Sequence, residues 1–220
     1  MTNKTTTICC TLALLASVAA TPAFSQAKNF AGPSIAIGGG YSSQTYDLKL
    51  TDTATPYDAN FEVGKNDFFA VADLSYGIEL DKSFVLSLGA TYDLTNSEVS
   101  SFKDSDGVSI KTELKDHYSL YLQPTFLVNN NTGIFGKLSY NFAKSTGTIS
   151  DGTDSLNNSK NLEGWGYGIG AKTFLNNSTY IQIEGHYVEY DKHNVALNED
   201  FSVSGEPKVL SALISVGYKF

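Results

Sequence analysis

The end of the chain alternates strictly. Leu210, Ala212, Ile214, Val216, Tyr218 and Phe220 fall on one face of an extended segment, and Ser211, Leu213, Ser215, Gly217 and Lys219 fall on the other. Successive side chains of a strand point to opposite faces, so this period of two specifies a strand with one apolar surface, not an amphipathic helix. The period recurs at Phe68, Ala70, Ala72, Leu74, Tyr76 and Ile78, set against Phe69, Val71, Asp73, Ser75, Gly77 and Glu79. It recurs again from Phe84 to Asp93, from Tyr118 to Phe126, from Ile134 to Phe142, from Trp165 to Ala171 and from Ile181 to Tyr187. A weaker version surrounds Ile35, Ile37, Gly39 and Tyr41, which brings the expectation to eight strands.

The connections alternate as well. Leu80 to Ser83, Asn129 to Gly133 and Asn176 to Ser178 are short and rich in residues that accept tight turns. Thr45 to Asn66, Glu98 to Lys115, Lys144 to Asn161 and Asp191 to Glu206 are long and polar. A meander with all its short turns at one rim and all its long connections at the other has the layout of a transmembrane β-barrel. A soluble barrel or sandwich also alternates, but it turns bulky apolar residues inward. Here the apolar face carries Leu, Ile, Val and Phe with Tyr towards the strand ends, as a lipid-facing band with an aromatic girdle would. The opposite face is small and polar, and includes Gly164, Gly166, Gly168 and Gly170, which suits the crowded interior of a narrow barrel. The predicted fold is therefore all-β: an eight-stranded antiparallel up-and-down transmembrane barrel with short periplasmic turns and long external loops. Its lipid-facing terminal strand is Leu210, Ala212, Ile214, Val216, Tyr218 and Phe220. Composition agrees, because mean hydropathy is only −0.14 and no run approaches the ~18 apolar residues of a spanning helix.

The first 27 residues read as a secretory signal peptide: Lys4 in a short polar start, an apolar stretch from Ile8 to Ala20, then Ser25-Gln26-Ala27 before cleavage. The barrel domain is then residues 28–220. Cys9 and Cys10 both lie in the leader, so the exported chain has no disulfide or thiolate ligand. With Lys and Arg together 15 against 23 acidic residues, the formal charge of −8 excludes a nucleic-acid partner, which would require a basic surface.

These features, with Phe30-Ala31-Gly32-Pro33-Ser34 leading into Ile35 and a terminal Tyr218-Lys219-Phe220, resemble the small Gram-negative outer-membrane barrels. That group comprises the opacity-type and surface-antigen proteins and the transmembrane domain of OmpA. The resemblance implies outer-membrane localisation, contact with membrane lipid and lipopolysaccharide, and recognition of the terminal strand by the barrel-assembly machinery. It also implies a structural or surface-presenting role, in which the loops bind a host or environmental ligand. Because the sequence stops at the eighth strand, the peptidoglycan anchoring of full OmpA is not expected.

An eight-stranded barrel has an interior that side chains can fill, whereas an open aqueous channel belongs to barrels of ~16 strands. The inward face predicts a lumen polar network of Asp73, Asp93, Lys137, Lys172, Glu184, His186 and Lys219. Buried charges need partners. A turn at Asn176 to Ser178 places Lys172 opposite Gln182 and diagonal to Glu184, which predicts a Lys172–Glu184 pair plugging the lumen. The alternative function is a narrow porin or small-solute channel.

No cofactor, metal or catalytic group is expected. His117-Tyr118-Ser119 is similar to the His-x-Ser pattern of lipid A deacylase barrels, but Tyr118 on the lipid face turns His117 and Ser119 inward, and no glutamate lies in the next strand. Asp104-Ser105-Asp106-Gly107 with Glu113 keeps half of a calcium-loop spacing, yet Phe102 stands where the first ligand belongs, and Asp-Gly reads as a hairpin tip. His186 and His193 are read as structural or exposed. Gly38-Gly39-Gly40 is no phosphate cradle, because no helix follows it.

Overall fold

A computed structural model of the chain describes residues 27–52, 57–103, 109–150, 155–196 and 201–220, with side chains for 27–45, 64–96, 113–146, 159–192 and 205–220. The leader up to residue 26 and the Asp104–Gly107 tip lie outside the described residues, as do the side chains of the loop aromatics Tyr46, Tyr57, Phe61, Phe102 and Phe201.

Ten strands make a closed antiparallel barrel of eight staves: β1 (Gly32–Asp52), β2 (Tyr57–Asp81), β3 (Phe84–Asp93), β4 (Ser97–Lys103), β5 (Ser109–Leu127), β6 (Thr132–Ser150), β7 (Ser155–Phe174), β8 (Thr179–Tyr190), β9 (His193–Ala196) and β10 (Phe201–Lys219). The short β4 continues the stave of β3 against β5, and β9 continues that of β8 against β10. Pairing of β1 with β10, from Ser34 opposite Lys219 to Asp52 opposite Phe201, closes the sheet into a barrel.

The short turns fall where the sequence places them. Asn129 Oδ1 accepts from the backbone N–H groups of Asn131 and Thr132, and Asn176 Oδ1 accepts from those of Ser178 and Thr179. These are side-chain turns for which asparagine is suited. The long connections are different. Much of what reads as polar loop is ladder: Thr45–Asp52 pairs with Tyr57–Gly64, and Ser109–Lys115 pairs with Lys144–Ser150. Backbone pairing continues there without the apolar period, because that period arises only where one face meets lipid.

The sign of the alternation is the inside-out one. Leu74, Leu120 and Ile214 stand outward at 60%, 58% and 58% exposure, while Asp73 points inward. Leu210, Val216, Tyr218 and Phe220 are likewise exposed. Along β2 the outward set runs from Leu80 near the turns to Phe68, roughly 12 residue steps of ~3.3 Å. At a strand tilt of ~40° this is ~30 Å, the thickness of a hydrocarbon core. Aromatic contacts mark the far edge of the band: Tyr41 with Phe68, Tyr118 stacked on Phe142, and Tyr140 between Phe142 and Trp165. Tyr218 and Phe220 mark the near edge.

The first described residues and the last strand meet at the turn rim, where Lys219 Nζ donates to the Lys28 carbonyl and the Phe220 N–H donates to the Pro33 carbonyl. Before β1, the 3-10 turn Ala27–Asn29 folds under the barrel. Ala27 and Phe30 join Val85, Leu127, Phe174 and Tyr180 in a buried apolar floor.

Candidate functional site

The interior above that floor is built largely on one stave that lacks side chains. Between the inward Leu162 and Lys172, the inward positions of β7 are Gly164, Gly166, Gly168 and Gly170, so side chains from β6 and β8 reach across β7 and meet over it. Lys137 Nζ of β6 lies 2.6 Å from Glu184 Oε2 of β8, and both side chains are almost wholly buried. The Glu184 carboxylate also accepts from Gln182 Nε2 at 3.1 Å, and Lys137 lies over the Tyr121 ring. One turn of the sheet higher, Ser139 Oγ of β6 and His186 Nε2 of β8 are 3.0 Å apart, and Asn141 Nδ2 donates to Ser139 Oγ. A Cβ on Gly166 would come within 2.7 Å of Asn141 Nδ2 and His186 Nε2.

This geometry corrects the expected pairing. Lys172 stands opposite Gln182, as the turn dictates, but the carboxylate of Glu184 is bound to Lys137, and Lys172 Nζ lies 4.5 Å over the Tyr180 ring. The missing side chains of β7 let a residue two staves away reach Glu184, where nearest-neighbour register considers only the adjacent strand. Lys219 is the second correction. It is half-buried at the periplasmic rim, bonded to the Lys28 carbonyl, and takes no part in the interior cluster.

The other charged residues sit inside the lumen. Asp73 Oδ2 accepts from the Tyr121 hydroxyl at 2.8 Å. Asp93 Oδ2 accepts from His117 Nδ1 at 2.7 Å, one step beyond the Tyr92–Tyr118 pair of β3 and β5, and a β-bulge lies beside this contact on the β6 side. Two residues of β5, Asp116 and His117, face the single Ala143 of β6 between the Lys115–Lys144 and Tyr118–Phe142 pairs, and Asp116 takes φ 51°. A bulge of this kind re-aims the strand. It lets Leu114 and His117 both point inward while Tyr118 points to lipid. The histidine is thus oriented by a carboxylate from the preceding strand, not by a downstream glutamate. Ser119 Oγ is engaged with Thr91 Oγ1 at 2.6 Å. Tyr121, Ser139, Asn141 and the His117–Asp93 contact were not in the expected network; their inward parity was legible, but the cross-stave reach was not.

Above Lys137 and Glu184 lies a chamber of about 680 Å³, counting the space open at its mouth. A smaller space of about 300 Å³ lies on the floor side and shares Lys137 and Val71 with it. Leu114, Val188, Tyr190 and Val209 form an apolar collar towards the outer end. Among the described residues no group of three or more His, Cys, Asp or Glu could hold a metal.

A closed antiparallel barrel with lipid-facing apolar residues, aromatic edges and a packed polar interior defines a membrane-spanning β-barrel protein. The family model for the outer membrane protein beta-barrel domain matches residues 10–220, and the chain belongs to that family, which resides in the outer membrane. No curated protein matches the sequence. Among solved structures, the outer membrane protein OprG from Pseudomonas aeruginosa aligns with 15% identity and TM-score 0.52, over 90% of this chain and 99% of its own. The outer membrane protease OmpT from Escherichia coli aligns with 9% identity and TM-score 0.51, over 86% and 96%. Ail of Yersinia pestis, solved in complex with the heparin analogue sucrose octasulfate, aligns with 16% identity and TM-score 0.46, over 86% and 99%. The first two of these likenesses show the barrel fold.

Proposed function

We propose that this chain is a non-enzymatic outer-membrane protein with a closed lumen, anchored in the lipid and carrying its long hairpins outside as a presenting surface. The observation that supports the closed lumen is the double seal. The apolar floor of Phe30, Val85, Leu127, Phe174 and Tyr180 blocks the periplasmic end, and the buried Lys137–Glu184 pair crosses the middle. The test is single-channel recording in planar bilayers. We expect no steady conductance from the native chain, and a reproducible current altered by Glu184→Gln would overturn the reading in favour of a narrow solute channel. That second reading draws on the two cavities that meet at Lys137.

The absence of catalysis is part of the proposal. His117 is bound to Asp93 and Ser119 to Thr91, so neither serine nor histidine engages the other as a nucleophile–base pair would. Lipid A from cells making the native chain or His117→Ala should be identical by mass, and a difference would refute this. The strands extend well past the lipid band, since β2 has 25 residues where a span needs ~9–11. The hairpins are accordingly the part available to lipopolysaccharide or a host ligand, and shortening them should weaken any surface binding while the barrel stays folded. The terminal strand is proposed to engage the assembly machinery, so Phe220→Ala should slow insertion. The leader is proposed to end at Ala27; an intact mass beginning at Lys28 supports this, and a mass retaining Ala27 places the cleavage elsewhere.

A further inference from the structure

Three buried polar atoms on residues that line the outer chamber have no partner. Gln44 and Asn141 are 3% and 0% exposed, and neither Gln44 Oε1 nor Asn141 Oδ1 has a hydrogen-bond partner. Asn141 Nδ2 is engaged with Ser139 Oγ and, at 3.5 Å, the Gly164 carbonyl, which fixes its oxygen as the free end. His117 Nδ1 must donate to the Asp93 carboxylate, so in the neutral ring Nε2 is an acceptor, and it too is buried and unpartnered. Of the charged side chains lining the chamber, Lys137 and Glu184 neutralise each other, which leaves the Asp93 carboxylate. Three orphan acceptors and one carboxylate ask for a ligand rich in N–H donors and positively charged, because buried acceptors left unmet are costly. The collar of Leu114, Val188 and Val209 asks for an apolar portion behind that head.

We propose that the outer chamber binds a small primary ammonium compound with a short aliphatic tail. The ammonium sits among Asp93, His117 Nε2, Gln44 Oε1 and Asn141 Oδ1, and the tail lies against the apolar collar. Anions are excluded by the same acceptors.

The experiment uses the full barrel in detergent micelles with isotope-labelled histidine. Of the three histidines, His117 and His186 line the chamber. The probes are n-butylammonium, butyrate with a similar tail and opposite charge, and uncharged butanol. We expect n-butylammonium to shift the His117 resonances saturably, with butyrate and butanol producing no saturable shift. Asp93→Asn, which keeps an acceptor for His117 but removes the charge, should weaken binding about tenfold. Equal responses to n-butylammonium and butyrate, or no response to either, would overturn the proposal on the native chain alone, whether or not the variant folds. A folded Asp93→Asn barrel with unchanged affinity would do the same. Bilayer conductance does not enter this readout, so failure here leaves the closed-lumen reading standing.

Discussion

Asp116 is the single non-glycine residue with positive φ among those described, and its left-handed backbone allows the bulge that brings Leu114 inward together with His117. Left-handed backbone costs an ordinary side chain roughly 1–2 kcal/mol, less for Asp or Asn and nothing for glycine. Asp116→Val should therefore lower barrel stability by about 1–2 kcal/mol, whereas Asp116→Gly should be tolerated, as read from unfolding midpoints in detergent. Equal losses for both would mean the bulge is not held at this residue. Part of this was legible beforehand. The parity of Tyr118, Leu120 and Leu122 places His117 inward, but nothing in a run of alternating residues announces the extra residue, since Lys115 and Asp116 look like any polar strand end. The bulge is written in a backbone angle, and Asp accepts that angle without advertising it.

At the scale of elements, β7 is the stave on which the interior is arranged. Its four inward glycines let Lys137 and Ser139 of β6 reach Glu184 and His186 of β8. An added methyl at Gly166 would press on Asn141 Nδ2 and His186 Nε2 and displace the Ser139–His186 hydrogen bond. Gly166→Ala should cost about 1–3 kcal/mol through overpacking and a broken buried bond. Gly185→Ala, on the outward face of β8 with nothing within 4 Å of the new methyl, should be neutral or slightly stabilising. If the two variants unfolded together, the glycines would not be the platform argued here. The glycine row was plain in the sequence and its inward side was inferable. Its consequence was not, because cross-strand reasoning pairs a residue with its immediate neighbours, and a stave of glycines makes second neighbours the ones that touch. The long hairpins look like loops in the sequence for a related reason: where both faces of a ladder meet water, no apolar period marks it.

For the whole molecule, one asymmetry decides stability: the large exposed apolar side chains form an outward band, while the inward ones are confined to a floor and a collar, so the barrel is held chiefly by ladder hydrogen bonds and its lipid surroundings and not by one continuous oily core. A charge placed outside should then be penalised by depth, not by burial within the protein. Leu74 lies halfway along the outward set of β2, between Phe68 and Leu80, opposite Ile35 and Ala90. All three positions of β2 are well exposed on the isolated barrel, at 60%, 75% and 57%. For a soluble protein, lysine at any of them would be a neutral surface change. In a bilayer, Leu74→Lys should cost about 2–4 kcal/mol, because the ammonium must be carried to the midplane, while Leu80→Lys at the turn rim should cost about 0–1 kcal/mol, because it can snorkel to the headgroups. Reversible unfolding from lipid vesicles measures both. A cost that is equal at the two positions, or that vanishes at Leu74, would mean that the lipid boundary does not lie where the aromatic edges place it.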